Sequence, residues 1–204
     1  MIRISRRDLF ALTAGFTATL AVPARARAVP ATVRAPDAPP LLAAARAAME
    51  RHAQHIRHTN QLVIADFSLP SHRPRLSLVD LAGGKVRTLL VTHGRGSDPK
   101  HSGWVERFSN VPGSNASSDG AYVAGPEYFG KHGRSQRLVG LDPTNNNAEA
   151  RAIVVHAAWY AGPDMIEKHG KLGRSEGCFA VSEADLSQFM AILQPGTLLF
   201  AGKA

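Results

Sequence analysis

Hydrophobic and polar positions change period along this chain, and the changes mark its elements. From Leu41 to about His58 the apolar residues Leu42, Ala45, Met49, Ala53 and Ile56 recur at helical spacing. Pro39 and Pro40 stand just before them, where a helix tolerates proline. The pattern predicts a helix over 41–58 packed on the outside of a domain, with His52, His55 and His58 on or near its solvated face. Beyond it the period shortens. Leu62-Val63-Ile64 leads to Phe67 as a short strand. Leu76 to Leu81 alternates, Ala82-Gly83-Gly84-Lys85 reads as a turn, and Val86 to His93 returns as the second strand of a hairpin. Residues 94–118 are rich in Gly, Ser, Asn and Pro and read as one long loop, of a length that is usually functional. Tyr122-Val123-Ala124, Arg137 to Leu141 and Ala152 to Val155 are further strand candidates, with Asn145-Asn146-Asn147 as a polar turn between the last two. Ser182 opens a second helix, with Asp185 three residues on as a variant capping box. Leu186, Phe189, Met190 and Leu193 give that helix one apolar face. Pro195-Gly196 stops it, and Thr197 to Ala201 is a last strand. Many short strands with few helices, and no internal repeats, imply a mainly β domain with flanking helices (α+β), built as two packed sheets.

The start of the chain follows a different rule. Arg3, Arg6 and Arg7 precede an apolar stretch from Leu9 to Val22 that is too short and mixed for a membrane span, and Ala26-Arg27-Ala28 fits a small-x-small cleavage site. Residues 1–28 therefore read as an export signal that sends the protein to the periplasm. Ser5-Arg6-Arg7-Asp8-Leu9-Phe10 resembles the twin-arginine address. Residues 29–40, rich in Pro and Ala, read as a linker. The remainder, 60–204, is one domain, and no later stretch is long enough to span a membrane.

Composition narrows the function. The formal net charge is +8, but half of it sits in the export signal, where Arg3, Arg6, Arg7, Arg25 and Arg27 outweigh Asp8. The other Lys and Arg residues are scattered, without basic runs or interleaved aromatics, which argues against nucleic acid as a partner. Cys178 is the single cysteine, so no intramolecular disulfide can form. An unpaired cysteine in an exported protein suggests a reactive thiol or an intermolecular bridge.

The chemistry gathers between Ala152 and Ser182. A short apolar run delivers His156, and Gly173-Arg174-Ser175-Glu176-Gly177-Cys178 follows further along. A free thiol, with a pKa of about 8.5, is only a few per cent ionised at neutral pH. A nearby imidazole can take its proton. Glycine before the cysteine lets the backbone turn so that the amides of Gly177 and Cys178 can face a developing oxyanion. A buried apolar cysteine and a satisfied core histidine are the bland readings of the same two residues. Taken together, and with Gly177 and Arg174-Ser175 adjacent, the pair reads as catalytic. His93 and His101 read as structural, and Trp159-Tyr160 as core or as a wall of the cleft.

His156 followed by Ser175-x-Gly177-Cys178 resembles the His…Ser-x-Gly-Cys signature of the L,D-transpeptidases, the YkuD-type catalytic domain. Upstream, Asp66-Phe67-Ser68-Leu69-Pro70-Ser71, His93-Gly94-Arg95-Gly96-Ser97, Phe108-Ser109-Asn110-x-Pro112-Gly113-Ser114, Ser117-Ser118-x-Gly120-x-Tyr122 and Gly130-Lys131-His132-Gly133 resemble a divergent murein branch of that family. The likeness covers about residues 60–200. Two positions depart from the broader pattern: Glu176 stands where most members have His, and Ala180 where many have Asn or Arg. The resemblance implies an L,D-transpeptidase-like β-sandwich acting on peptidoglycan stem peptides. Cys178 would be the nucleophile and His156 its base, with Ser175 supporting the site through its hydroxyl or backbone carbonyl. Arg174, His169 and Tyr122 would contact substrate. The resemblance calls for no metal or cofactor. A thioester on Cys178 would pass to an amine, giving a 3–3 crosslink, or to water.

Readings from other classes remain. A zinc-dependent wall peptidase would need ligands such as His93, His156, Asp164 and His169, but no HExxH is present and the spacings match no common site. A non-catalytic peptidoglycan-binding module of the same fold would be expected to have lost its nucleophile, and Cys178 is present. Papain-like and NlpC-like peptidases usually place Cys before His, the reverse of the order here.

Overall fold

A computed structural model describes residues 38–204. The export signal and most of the linker lie outside the described residues. Eight strands form one continuous sheet: β1 (Gln61–Asp66), β2 (Leu76–Asp80), β3 (Lys85–Leu89), β4 (Gly120–Gly130), β5 (Gly133–Gly140), β6 (Val154–Ala157), β7 (Phe179–Val181) and β8 (Leu198–Gly202). Their spatial order is β3-β2-β1-β8-β4-β5-β6-β7. The β1–β8 and β6–β7 pairs are parallel and the other pairs antiparallel. Three helices flank the sheet: α1 (Leu42–Arg51), α2 (Pro163–His169) and α3 (Glu183–Ile192).

The expected mainly β architecture is observed, and its two layers are the halves of a single curled sheet. The segment after β3 returns to the opposite edge. There the Thr92 amide donates to Ala180 O at 2.9 Å and the Ser175 amide to His93 O at 2.9 Å. Phe67, at the end of β1, consequently stacks 6.2 Å from Phe179 on β7, five places away in the strand order.

Alternation along the strands sorts the core. Val63 and Ala65 of β1, Tyr122 and Ala124 of β4, Val155 of β6 and Phe179 and Val181 of β7 point inward, where Leu186, Phe189 and Met190 of α3 join them. Leu62, Ile64, Ala121 and Leu198 point outward and are covered by α1 through Leu41, Ala45, Ala48 and Met49. Because both of its faces are packed, β1 reads as a continuous apolar run.

Three elements differ from the sequence expectation. Helix α1 stops at Arg51 instead of His58, because the chain turns at His52–His55 and Arg57 N–H donates to Gly196 O at 2.8 Å. His52 is half-buried and bonds Asp142 at 2.8 Å, tying α1 to the β5–β6 connection. The Tyr122 and Arg137 segments are the inner ends of a long hairpin, β4–β5, whose outer half the pattern did not predict. Helix α2 was not expected either; Pro163 at its first turn and Gly170 just past its end were the available signals. The α3 cap matches expectation, with Ser182 Oγ accepting from the Asp185 amide at 3.2 Å.

Candidate functional site

Parallel pairing of β6 and β7 brings the two distant motifs together. Val155 lies opposite Phe179 and His156 opposite Ala180. Since Val155, Ala157, Phe179 and Val181 face the core, alternation puts His156, on β6, and Cys178, immediately before β7, towards the other face. The intervening chain is absorbed by a 3₁₀ turn at Trp159–Ala161, by α2 and by the Gly173–Gly177 loop.

His156 is 2% exposed. Its Nδ1 lies 2.8 Å from Ala157 O. A carbonyl only accepts, so Nδ1 carries the proton and Nε2 is left with its lone pair, the form a general base requires. Burial lowers the His156 pKa, the Ala157 carbonyl partly offsets this, and the charges of His132 and Lys131 lower it further. Cys178 is half-buried, and its Sγ donates to Ala152 O at 3.6 Å. Burial raises the thiol. The Val154 backbone, Lys131 and Arg151 oppose the rise, while Glu176 adds to it. Both shifts favour a neutral resting pair, thiol and imidazole, over a preformed thiolate–imidazolium pair.

This arrangement sets a pH signature. Iodoacetamide labelling of Cys178 should keep rising with pH beyond the range of an ordinary thiol, because the folded thiol ionises later. The acid limb of turnover should lie below the usual imidazole range, because His156 stays neutral there. Labelling that reaches a plateau at or below neutral pH would show an ion pair instead.

The nucleophile turn is closed by Ser175. Its Oγ donates to Cys178 O at 2.8 Å and accepts from Gly177 N–H at 3.2 Å. Its carbonyl accepts from Arg95 N–H at 2.8 Å. Ser175, expected to support the site through its hydroxyl or backbone carbonyl, engages both within and beside the loop, while the His156 imidazole bonds Ala157 O. The Gly177 amide, expected as an oxyanion donor, meets Ser175 Oγ. Glu176 turns outward, 65% exposed at its side chain, and pairs with Arg95 at 2.9 Å. Glu176→Gln should accordingly change turnover by less than about tenfold, or roughly 1.4 kcal/mol in the barrier. Ser175→Ala should cost more, because it removes both turn-closing bonds. Steady-state kinetics on the two variants decide it, and the opposite order would overturn this assignment.

The other expected substrate contacts are distributed differently. Tyr122 is fully buried, packs edge-on to Phe179 at 5.5 Å and bonds Ser118, with burial raising its phenol. Its expected contact with substrate is corrected to a core position. Arg174 donates to the carbonyls of Asp98 and Pro99, and its Nε is buried without a partner. His169 is exposed at the end of α2. Trp159 is 82% exposed. Tyr160 is half-buried, and its phenol is raised by burial and then by Cys178 and Glu176 beside it.

His93 is structural, as expected, and lies under the nucleophile loop. Arg75, 1% exposed, donates from Nη2 to His93 Nδ1 at 2.7 Å, and His93 Nε2 lies 3.2 Å from Asp98 Oδ2. Arg75 only donates, so His93 carries its proton on Nε2. Burial and then the Arg75 charge lower His93 to about 4. Burial alone would raise the Asp98 carboxyl, but bonds from Ser102, Gly103 and His93 hold it below its ordinary value. An unfolded histidine binds its proton near 6.5, so the folded state loses stability as pH falls from 6.5 towards 4. The full loss from His93 amounts to about 3 kcal/mol, of which about 2 kcal/mol is reached at pH 4.5. Urea melts at pH 7 and 4.5 measure it, and equal midpoints would contradict it.

Two further contributors had no clear signal in the sequence, and a third, His132, showed only as part of the Gly130-Lys131-His132-Gly133 motif. Arg151 donates to Ser109 O at 2.8 Å, Ser118 Oγ at 3.2 Å, Ser114 Oγ at 3.3 Å and Ala116 O, binding the 109–118 loop to the nucleophile turn. Ala152 adopts a positive φ of 52° and offers its carbonyl to the thiol. His132 stacks on His156, with ring centroids 4.2 Å apart. A groove of about 940 Å³ lies elsewhere, between β3 and α3, and none of these residues lines it. Among the described residues, no three or more His, Cys, Asp or Glu side chains group as metal ligands.

A family model described as the L,D-transpeptidase catalytic domain matches residues 38–201. The chain belongs to that family, and α1 lies inside the matched domain. No curated protein matches. Among solved structures, the chain is similar to an L,D-transpeptidase from Xylanimonas cellulosilytica, at 16% identity and TM-score 0.42, covering 72% of this chain and 62% of that one. It is also similar to L,D-transpeptidase 3 from Mycobacterium tuberculosis, at 12% identity and TM-score 0.44, covering 71% and 61%. A third is the helical cell shape determining protein Pgp2 from Campylobacter jejuni, at 13% identity and TM-score 0.45, covering 72% and 48%. The match spans less than two thirds of the length of each of these chains.

Proposed function

We propose that this protein is an exported, periplasmic cysteine L,D-transpeptidase acting on peptidoglycan stem peptides. The observation that carries the reading is the parallel β6–β7 pairing, which brings His156 alongside the segment that Cys178 leads into, within a chain of this family. Cys178 Sγ attacks the carbonyl of the third stem residue as His156 Nε2 takes the thiol proton. The C–N bond to the fourth residue breaks, and His156 returns the proton to the departing D-alanine amine. A depressed imidazole pKa suits that second step, because the protonated ring is a better acid. The Cys178 amide is the donor proposed for the oxyanion. The thioester then passes to an amine of a second stem, or to water. Incubation with defined muropeptides, followed by mass spectrometry of products and of intact protein, tests this. The expected result is release of D-alanine with an acyl adduct on Cys178. Binding to murein with neither adduct nor turnover would favour a non-catalytic wall-binding module.

A further inference from the structure

The β4–β5 hairpin ends in a feature that the reaction scheme does not use. Gly130 pairs with Gly133, so Lys131-His132 forms a two-residue turn. Gly133, at φ 72°, takes the left-handed conformation that closes it. The arm behind the turn is braced. Arg134 grips Glu127 through two bonds, at 2.8 and 3.1 Å, and the Arg137 guanidinium lies 4.7 Å over the Tyr128 ring. The turn itself is exposed and polar, a position where a side chain ordinarily faces water. His132 instead lies flat on the His156 ring, 4.2 Å between centroids and 19° between planes.

A buried imidazole has two angular freedoms that matter for catalysis. One is rotation within the ring plane, which the Nδ1 bond to Ala157 O restrains. The other is tilt of the plane, which a hydrogen bond in that plane restrains poorly. A ring stacked on its face restrains tilt, because tilting would forfeit the contact. We infer that His132 is a positioning residue: carried on the hairpin turn, its ring fixes the plane of His156 so that Nε2 keeps its aim at the thiol. The role requires a flat ring, not a titrating one. The groups that bear on His156 are Ala157 on its own strand and His132 and Lys131 on the hairpin.

This inference rests on His156 acting as the base, and its test separates the two. His132→Ala and His132→Phe are compared with wild type for steady-state turnover of a tetrapeptide donor and for iodoacetamide labelling of Cys178. Labelling needs no peptidoglycan substrate, so it is readable even if the proposed substrate is wrong. The expected result for Ala is a kcat about 10- to 100-fold lower, the scale of a misplaced catalytic group. KM should change less than about threefold and labelling should slow in parallel, while Phe restores both to within about threefold of wild type. Thermal melts of both variants should match wild type, because the turn is exposed. If Ala behaves as wild type, or Phe fails to rescue, the inference is overturned. A rise in KM at constant kcat would make His132 a substrate contact instead. Slow labelling in both variants with normal labelling in His156→Ala would make His132 the base, and the reading of His156 would fall with it.

Discussion

Replacing Cys178 with serine is expected to abolish turnover while leaving the fold in place. The thiol makes one polar contact, with Ala152 O at 3.6 Å, and a serine hydroxyl can make the same bond. Thermal stability should therefore change little. Chemistry should not survive. Burial already raises the thiol, and an alcohol in its place would ask His156, whose basicity is lowered, to remove a far less acidic proton. A loss of more than about a thousandfold is the expected scale for a covalent nucleophile. Intact-protein mass spectrometry with a tetrapeptide donor gives the second readout, an acyl adduct on wild type and none on the variant. His156→Ala should lose about 10²–10⁴-fold, the usual range for a general base. Its Cys178 should still be alkylated at high pH, where hydroxide replaces the base. An adduct elsewhere, with Cys178→Ser still active, would remove Cys178 from the mechanism.

How much of this could be read from the sequence depended on whether the signal was local. Helix α3 was legible because its cap, its apolar face and its stop all lie between Ser182 and Gly196. The β1 and β2 strands were legible from their alternation. The β4–β5 hairpin was half legible. Its inner end alternates against the core, but Glu127 to Arg134 extends past the packed sheet and carries no buried apolar pattern. Cys178 and His156 were visible as residue types, and the Ser-x-Gly-Cys spacing ordered them. What held them in place was not. Ala157 supports His156 through a backbone carbonyl, which every residue possesses. Arg151 acts on oxygens of Ser109, Ser114, Ala116 and Ser118, all far from it in sequence. His132 reaches His156 only because a hairpin turn folds over the sheet. The surroundings of Arg174 and Tyr122 were hidden for a related reason. A guanidinium suits a carboxylate and a tyrosine suits a cleft, yet the fold presents Asp98 and Pro99 carbonyls to one and buries the other.

The tightest point of the site is Gly177, and Gly177→Ala should lose most activity through geometry alone. Its φ is +116°, a conformation that an L side chain rarely adopts. A methyl group there would lie 2.7 Å from Ala116 O and 2.7 Å from Ile153 Cδ1. Neither neighbour yields easily. Ala116 O is held by the Arg151 guanidinium, and Ile153 is 1% exposed in the core. Strain of this kind costs of order 1–3 kcal/mol. The chain can relieve it only by moving the turn, which carries Cys178 in the next position. A displacement of about 1 Å at a nucleophile is enough to cost roughly a hundredfold in kcat. Gly113→Ala provides the control. Its φ of +78° imposes a similar backbone penalty, but nothing lies within 4 Å of the added carbon. Both variants should lower the melting temperature, Gly177→Ala by more because it adds the two close contacts to the backbone penalty. Only Gly177→Ala should lose turnover and slow the alkylation of Cys178. Equal activity in both would mean that the close approach to Ala116 and Ile153 does not set the nucleophile's position.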